Sequence, residues 1–200
     1  MKPKKINITD FTKAYRMAFK RGKWAPAFNI WKARADDGYI RSSFYTGVCY
    51  DFGRGTRINR KKAFKYYLYA AESGNAAAQY NVYIMYRDGK GVAKNIKKAI
   101  VWLQKAASKR DIEAYRDMGY SYHEGRGLKK NYKLAVKYYK MAAFKGDLKA
   151  QWDLSLCYDD GDGVKRSMRW STYWLLKAAR GGHKASKEKL KRLKIKLSQG

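Results

Sequence analysis

A 36-residue skeleton recurs four times along this chain without an insertion, and few folds tolerate that. In the copy Gly74–Lys109 the glycine pair Gly89/Gly91 recurs as Gly53/Gly55, Gly125/Gly127 and Gly161/Gly163. The preceding Tyr86 returns as Tyr50, Tyr122 and Tyr158, and the pair Ala106-Ala107 as Ala70-Ala71, Ala142-Ala143 and Ala178-Ala179. A period of this length marks a stacked helical solenoid, in which one unit cannot bury its apolar face alone and neighbours must cover it.

Each copy reads as two helices. Ala78, Val82, Met85 and Tyr86 fall at i, i+4, i+7 and i+8, one stripe of a first helix. Asp88-Gly89-Lys90-Gly91 ends it, because glycine accepts positive φ at little cost. Asn95 is the expected N-cap of the second helix, with Asn59, Asn131 and Ser167 at the matching positions. That helix carries Ala99, Trp102, Leu103, Ala106 and Ala107 on one face, where the alanines allow close approach and the aromatic fills the gap between repeats.

These residues resemble the Sel-one-like repeat family, a relative of the tetratricopeptide repeats. Gly89-Lys90-Gly91-Val92 and Lys98-Ala99-Ile100-Val101-Trp102-Leu103-Gln104-Lys105-Ala106-Ala107 are similar to its G-x-G-V and K-A-x-x-W-Y-x-K-A-A stretches, and residues 134–143 follow with small departures. The resemblance covers roughly residues 24 to 190 and implies an all-α, right-handed α-solenoid of stacked helix-turn-helix repeats. The family's first-helix glycine is kept as Gly47 and Gly119 but replaced by Tyr83 and Ser155, so Tyr83 is expected to widen the local helix spacing.

The predicted organisation is a basic tail at 1–9, a degenerate capping repeat at 10–37, and full copies at 38–73, 74–109, 110–145 and 146–181. A partial repeat with a basic capping helix closes it at 182–200. Phe11, Ala14, Tyr15, Ala18 and Phe19 form an amphipathic stripe with Thr9 or Asp10 as its cap. A second helix opens after Gly22, with Pro26 in its first turn. The lysine-rich KRLKIKLSQG is expected to keep the last repeat soluble.

The first residues carry charge but no apolar signal core, and no run of 18 apolar residues occurs, so a cytoplasmic location is expected. Cys49 and Cys157 share one repeat position three copies apart, too far for a disulfide in a stacked array. Two small core residues in a reducing compartment are the expectation.

A net charge of +30 on 200 residues invites a search for an anionic partner. The register locates the charge. The four first-helix segments, 38–52, 74–88, 110–124 and 146–160, hold 5 Lys/Arg against 10 Asp/Glu, whereas the loop and second-helix segments hold 24 against 2. In tetratricopeptide-like stacks the first helices line the concave groove and the second helices form the convex wall. The resemblance therefore implies a basic outer wall, with Lys61, Lys97, Lys133 and Arg169 at one position and Lys62, Lys98, Lys65 and Lys137 beside them. Such a stripe suits phosphate or an acidic protein; a merely solvating face is the alternative.

Groove positions carried over from the family fall on Arg41, Phe44, Val48 and Asp51, then Ala77, Tyr80, Ile84 and Arg87, then Glu113, Arg116, Tyr120 and His123, then Lys149, Trp152, Leu156 and Asp159. A row of ring and aliphatic side chains flanked by mixed charge suits a helix or an extended peptide. The alternative is that these side chains pack on neighbouring first helices. Rings and cations are expected on opposite walls, which argues against a single-strand nucleic-acid binder.

No chemistry motif competes. The two histidines, His123 and His183, are too few and scattered for a zinc site or an acid-base pair, and the G-x-G pairs follow helices rather than strands. Asp159-Asp160-Gly161-Asp162-Gly163 lacks the spacing of a calcium loop. The expected function is a non-catalytic scaffold without cofactor or metal, binding a protein partner of acidic character through the groove, the basic wall, or both. Relatives that neutralise secreted toxins fit this description. The alternative is a nucleic-acid-binding repeat protein using the lysine stripe.

Overall fold

The helix boundaries follow from side chains that satisfy exposed backbone ends. Asn59, Asn95, Asn131 and Ser167 each accept a hydrogen bond from the backbone N–H three residues on, as expected of N-caps. Their own N–H groups donate to the carbonyls of Tyr50, Tyr86, Tyr122 and Tyr158 at 2.8–2.9 Å, which closes the loop identically in every copy. Gly53, Gly89, Gly125 and Gly161 end the first helices in the left-handed conformation.

The computed structural model describes residues 8–193, which form eleven helices and no β-strand. These are α1 (Ile8–Tyr15), α2 (Trp24–Asp36), α3 (Ile40–Phe52), α4 (Arg60–Glu72), α5 (Ala76–Asp88) and α6 (Ile96–Ser108), followed by α7 (Ile112–Glu124), α8 (Tyr132–Phe144), α9 (Leu148–Asp160), α10 (Met168–Arg180) and α11 (Lys184–Arg192). The all-α, stacked-repeat architecture implied by the period is what the structure shows. The described residues form two compact units, 8–109 and 110–193, each a stack of helix hairpins. Of the basic tail expected at 1–9, residues 1–7 lie outside the described residues, as does the end of KRLKIKLSQG, while Ile8 and Thr9 belong to α1.

In the first unit α1 starts at Ile8, so Thr9 and Asp10 sit inside the helix and do not cap it. Asp10 is drawn instead to Arg34 of α2, whose Nε donates to its carboxylate at 2.8 Å. The helix then widens into a π-helical turn, Arg16–Lys20, which the apolar spacing did not signal. Phe11, Ala14, Ala18, Ala27, Trp31 and Cys49 form the core beneath it.

The two glycines of each pair have different work. Gly89 and Gly161 are helix ends, whereas Gly91 and Gly163 mark close approaches between repeats. A Cβ on Gly91 would lie 2.2 Å from the Arg60 carbonyl oxygen, and one on Gly163 would lie 2.3 Å from that of Tyr132. Within each hairpin a second rule operates. A Cβ on Gly47 or Gly119 would meet the ring of Tyr67 or Tyr139 at 2.6 Å. Where the glycine is lost, at Tyr83 and Ser155, the residue in the ring's repeat position is Leu103 or Leu175. A smaller facing side chain accompanies the larger one, and Tyr83 is buried within the frame.

Gln79 and Gln151, also present in alternate copies only, donate through Nε2 to the carbonyls of Ala71 and Ala143. The core thus alternates with a double period of 72 residues inside the 36-residue skeleton.

Candidate functional site

In the second unit the first helices α7, α9 and α11 present one face, tied by ion pairs. Asp147 caps α9 by accepting from the Ala150 N–H at 2.7 Å, and its other oxygen accepts from Arg116 of α7 at 3.0 Å. His123 Nε2 lies 3.1 Å from Asp162, and Lys189 of α11 donates to Asp159 at 2.8 Å. Arg116 and His123, expected as groove residues, are therefore partly spent on holding neighbouring repeats together.

Between these ties lies a recess of about 300 Å³ lined by Arg116, Asp117, Tyr120, Lys149, Trp152, Asp153 and His183. Trp152 also borders a second recess of about 430 Å³, formed with Ala185, Glu188, Lys189, Arg192 and Leu193. One indole thus forms the shared wall of two depressions, with the Lys189 ammonium 5.7 Å from its ring centre and the His183 ring 5.5 Å away. Tyr120 is 45% exposed beside it, and Leu156 is half-buried. The indole is half-buried, seated on Leu175, Ala179 and Leu190, and its remaining surface between the recesses is what a partner's apolar side chains can cover.

The floor of the first recess is electrostatically unusual. Burial pushes the Asp153 carboxyl up to about 7; the charges of Arg116 and His123 pull it down, and Asp147 and Asp117 push it further up. Burial also lowers His183, with Lys149 adding to the effect, which favours its neutral form. His183 Nδ1 accepts from the Ser186 N–H and caps α11. Eight of the ten first-helix carboxylates of the four full copies belong to this unit, and α11 beside them adds five cations against Glu188, so the face carries mixed charge.

The corresponding positions of the first unit are more fully used by the fold. The Arg41 guanidinium lies 4.5 Å from the Phe11 ring centre, and Phe44 packs against Tyr45 and Tyr67. Val48 and Ile84 are half-buried. Tyr80 packs on Tyr83, while Arg87 lies over the Tyr83 ring and pairs with Asp88 at 2.7 Å. Hydrogen bonding from Arg87 holds the Asp88 carboxyl down at about 2. The groove row expected from sequence is thus divided: in the first unit its residues pack on neighbours, while in the second Tyr120 is exposed and Trp152, half-buried against Leu175, Ala179 and Leu190, keeps an edge on two recesses.

On the second-helix side, Lys61, Lys62, Lys65, Lys97, Lys98, Lys133, Lys137 and Arg169 are all exposed. Several of the lysines lie over rings that the groove row did not include. Lys62 sits 5.5 Å from the ring centre of Tyr50, Lys98 5.7 Å from Tyr86, and Lys105 4.1 Å from Trp102. For the tyrosines the reason is the loop closure, which brings the end of the first helix next to the start of the second; Lys105 reaches Trp102 from one turn along the same helix, α6.

The comparisons with known proteins agree with this frame. The Sel1 repeat matches residues 40–75, 76–111, 112–147 and 148–183. The chain belongs to the Sel1-repeat family. A Sel1 repeat protein from Oxalobacter formigenes is 33% identical, with a TM-score of 0.83, over 88% of this chain and 70% of that one. The Escherichia coli protective antigen c5321 is 26% identical with a TM-score of 0.83, over 90% of this chain and 39% of that longer protein. The immunity protein Pa5087 of Pseudomonas aeruginosa shares the fold at 19% identity and a TM-score of 0.57, over 89% of this chain and 67% of that one. None of the curated proteins matches the sequence. Sel1-repeat proteins generally serve as protein-interaction scaffolds.

Cys49 and Cys157 are buried and free, and burial pushes both thiols up to about 12, as for core residues rather than nucleophiles. No group of three or more His, Cys, Asp or Glu among the described residues is placed to hold a metal. No described helix is long and apolar enough to cross a membrane. Sequence reasoning missed Asp117, Asp153 and His183. The available signal was the crowding of carboxylates into two of the four Sel1 repeats, which breaks a pattern the frame leaves free.

Proposed function

We propose that this chain is a non-catalytic scaffold that holds a segment of a partner protein on the first-helix face of its second unit. Trp152 and Tyr120 serve as apolar anchors, with Leu156 beside them. Lys149 offers an exposed cation to the segment's polar flank, beside Asp153 and an Arg116 that Asp117 and Asp147 hold in place. The observation that supports this reading best is Trp152 standing between two open recesses. Because carboxylates of α7 and α9 stand beside the cations of α11 there, the segment bound carries charges of both signs, which departs from the acidic partner suggested by net charge alone. The immunity protein Pa5087 has this fold, and neutralising a partner by holding it is one form the proposed role takes.

A second reading is supported by the row of exposed cations on the second helices. Such a row suits nucleic-acid phosphates, so Lys61, Lys62, Lys65, Lys97, Lys98, Lys133, Lys137 and Arg169 form its candidate track. One comparison separates the two. Partner protein is recovered from source cells with the full chain, then titrated against Trp152→Ala and against a Lys61→Glu/Lys97→Glu/Lys133→Glu variant, with a (dT)20 strand titrated in parallel. Loss at Trp152 alone upholds the scaffold reading. Binding of (dT)20 that falls steeply with salt and vanishes in the charge variant replaces it with the second.

A further inference from the structure

Helix α10 breaks the repeat on its outer face. Its Trp170 occupies the position held by Lys62, Lys98 and Leu134 in the other copies, and its Tyr173 that of Lys65, Val101 and Lys137. Met168 stands where Arg60, Ile96 and Tyr132 stand. The frame does not require these rings. Lysine covers the repeat tyrosine in the first two copies, and Trp170 covers Tyr158 in the same way, with ring centres 6.2 Å apart.

What the exchange adds is exposed apolar surface. Phe144 is 69% exposed, Met168 61%, Trp170 47% and Tyr173 45%. The rings are linked through a buried one. Phe144 meets the buried Trp174 at 5.2 Å, Trp174 meets Tyr173 at 5.1 Å, and Tyr173 meets Trp170 at 5.5 Å. An exposed ring cluster on a helical repeat marks a contact surface.

Its border fixes the sign of the partner. The Lys177 ammonium lies 5.2 Å from the Trp174 ring centre and 5.8 Å from that of Tyr173, and Arg169 is exposed one residue from Trp170. The loop and second helix of this copy contain one carboxylate, Asp162, which is engaged with His123. Incoming carboxylates therefore meet cations rather than competing acids.

Rings have replaced lysines at two positions, which weakens a phosphate track and strengthens a protein contact. Trp, Tyr, Phe, Met and Arg are the residues enriched in interface cores, where Lys is depleted. One face of Trp170 is already against Tyr158, and Tyr173 meets both indoles edge-on at 82°, an arrangement poorly suited to a run of stacked bases.

We infer that the outer face of α10 with Phe144 is a second docking surface, for an acidic protein segment in which Asp or Glu flank large apolar side chains. This surface is separate from the first-helix recess and stands or falls independently of it.

The test uses the full chain and three fluorescein-labelled probes. These are a 12-residue peptide alternating Glu with Leu and Phe, a Glu-only peptide of the same length, and (dT)12, titrated by anisotropy at near-physiological salt. The expected result is that the Glu/Leu/Phe peptide binds at least ~10-fold more tightly than either control. The indole N–H signal of Trp170 should shift while that of Trp152 stays in place. The Trp170→Lys/Tyr173→Lys variant, which restores residues the repeat carries elsewhere and so keeps the fold, should lose at least ~10-fold. Tighter binding of (dT)12, equal binding of the Glu-only peptide, or unchanged affinity in the double variant would overturn the inference. A shift of Trp152 in place of Trp170 would do the same.

Discussion

The hairpins α3–α4 and α9–α10 are three periods apart and share one frame, yet they present different surfaces. Both end the first helix on a left-handed glycine, Gly53 or Gly161, and both close the loop by a hydrogen bond to the repeat tyrosine. On the first-helix face, Phe44 packs into Tyr45 and Tyr67, whereas Trp152, at the same position, opens onto two recesses. On the second-helix face, Lys62 and Lys65 give way to Trp170 and Tyr173. A few backbone-directed residues hold the Sel1 frame, and side chains off that frame are free to specialise.

If the frame is shared, damaging it should cost the same in either hairpin stack. The largest effect is expected from Gly91→Ala and Gly163→Ala, each of which drives a Cβ to 2.2–2.3 Å of a carbonyl oxygen at positive φ. Each should lose more than ~3 kcal/mol in urea unfolding. A large cost at only one of them would show that the two stacks do not share their inter-repeat contact.

Next comes the glycine–tyrosine pair. Gly119→Ala should lose ~2 kcal/mol by crowding the Tyr139 ring. Adding Tyr139→Leu, which restores the pairing of Ser155 with Leu175, should recover most of it. Lack of recovery would sink the compensation rule.

The recess supplies a pH-dependent difference. Asp153 in the fold titrates near 7 against ~3.9 in the unfolded chain. Between about pH 4 and 7 the unfolded chain gives up its proton first, so stability falls as pH rises through that window and is level above it. Asp153→Asn should therefore raise the melting temperature at pH 8 by at least ~2–4 °C, the equivalent of one pKa unit, and leave it nearly unchanged at pH 4. An equal change at both pH values would remove the burial argument.

The smallest expected effect is at Arg110, which adopts φ +63° where Gly38, Gly74, Gly146 and Gly182 stand in the other copies. Arg110→Gly should gain ~1 kcal/mol in the same unfolding measurement.

Much of the frame was legible in the sequence because it depends on backbone needs. Asn95 and its counterparts cap helices wherever they occur, and Gly89 ends one for the same reason. The site was legible only in part. Trp152 and Tyr120 were found by register, but register is blind to what already covers a residue, so Arg41 and Phe44 were grouped with them although both pack on neighbouring rings. Asp153 was missed because its character comes from burial, which no repeat position announces. The contact of Lys62 with Tyr50 was not read because twelve residues separate them in the chain, while the loop folds them together.

The most direct test of the central claim compares Trp152→Leu with Phe44→Leu in binding to the partner protein recovered with the full chain. Both substitutions keep an apolar side chain at the same repeat position, so the frame is spared. The expected result is a loss of at least ~10-fold for Trp152→Leu and less than ~2-fold for Phe44→Leu. Equal losses, or a loss at Phe44 alone, would contradict the assignment of recognition to the second unit.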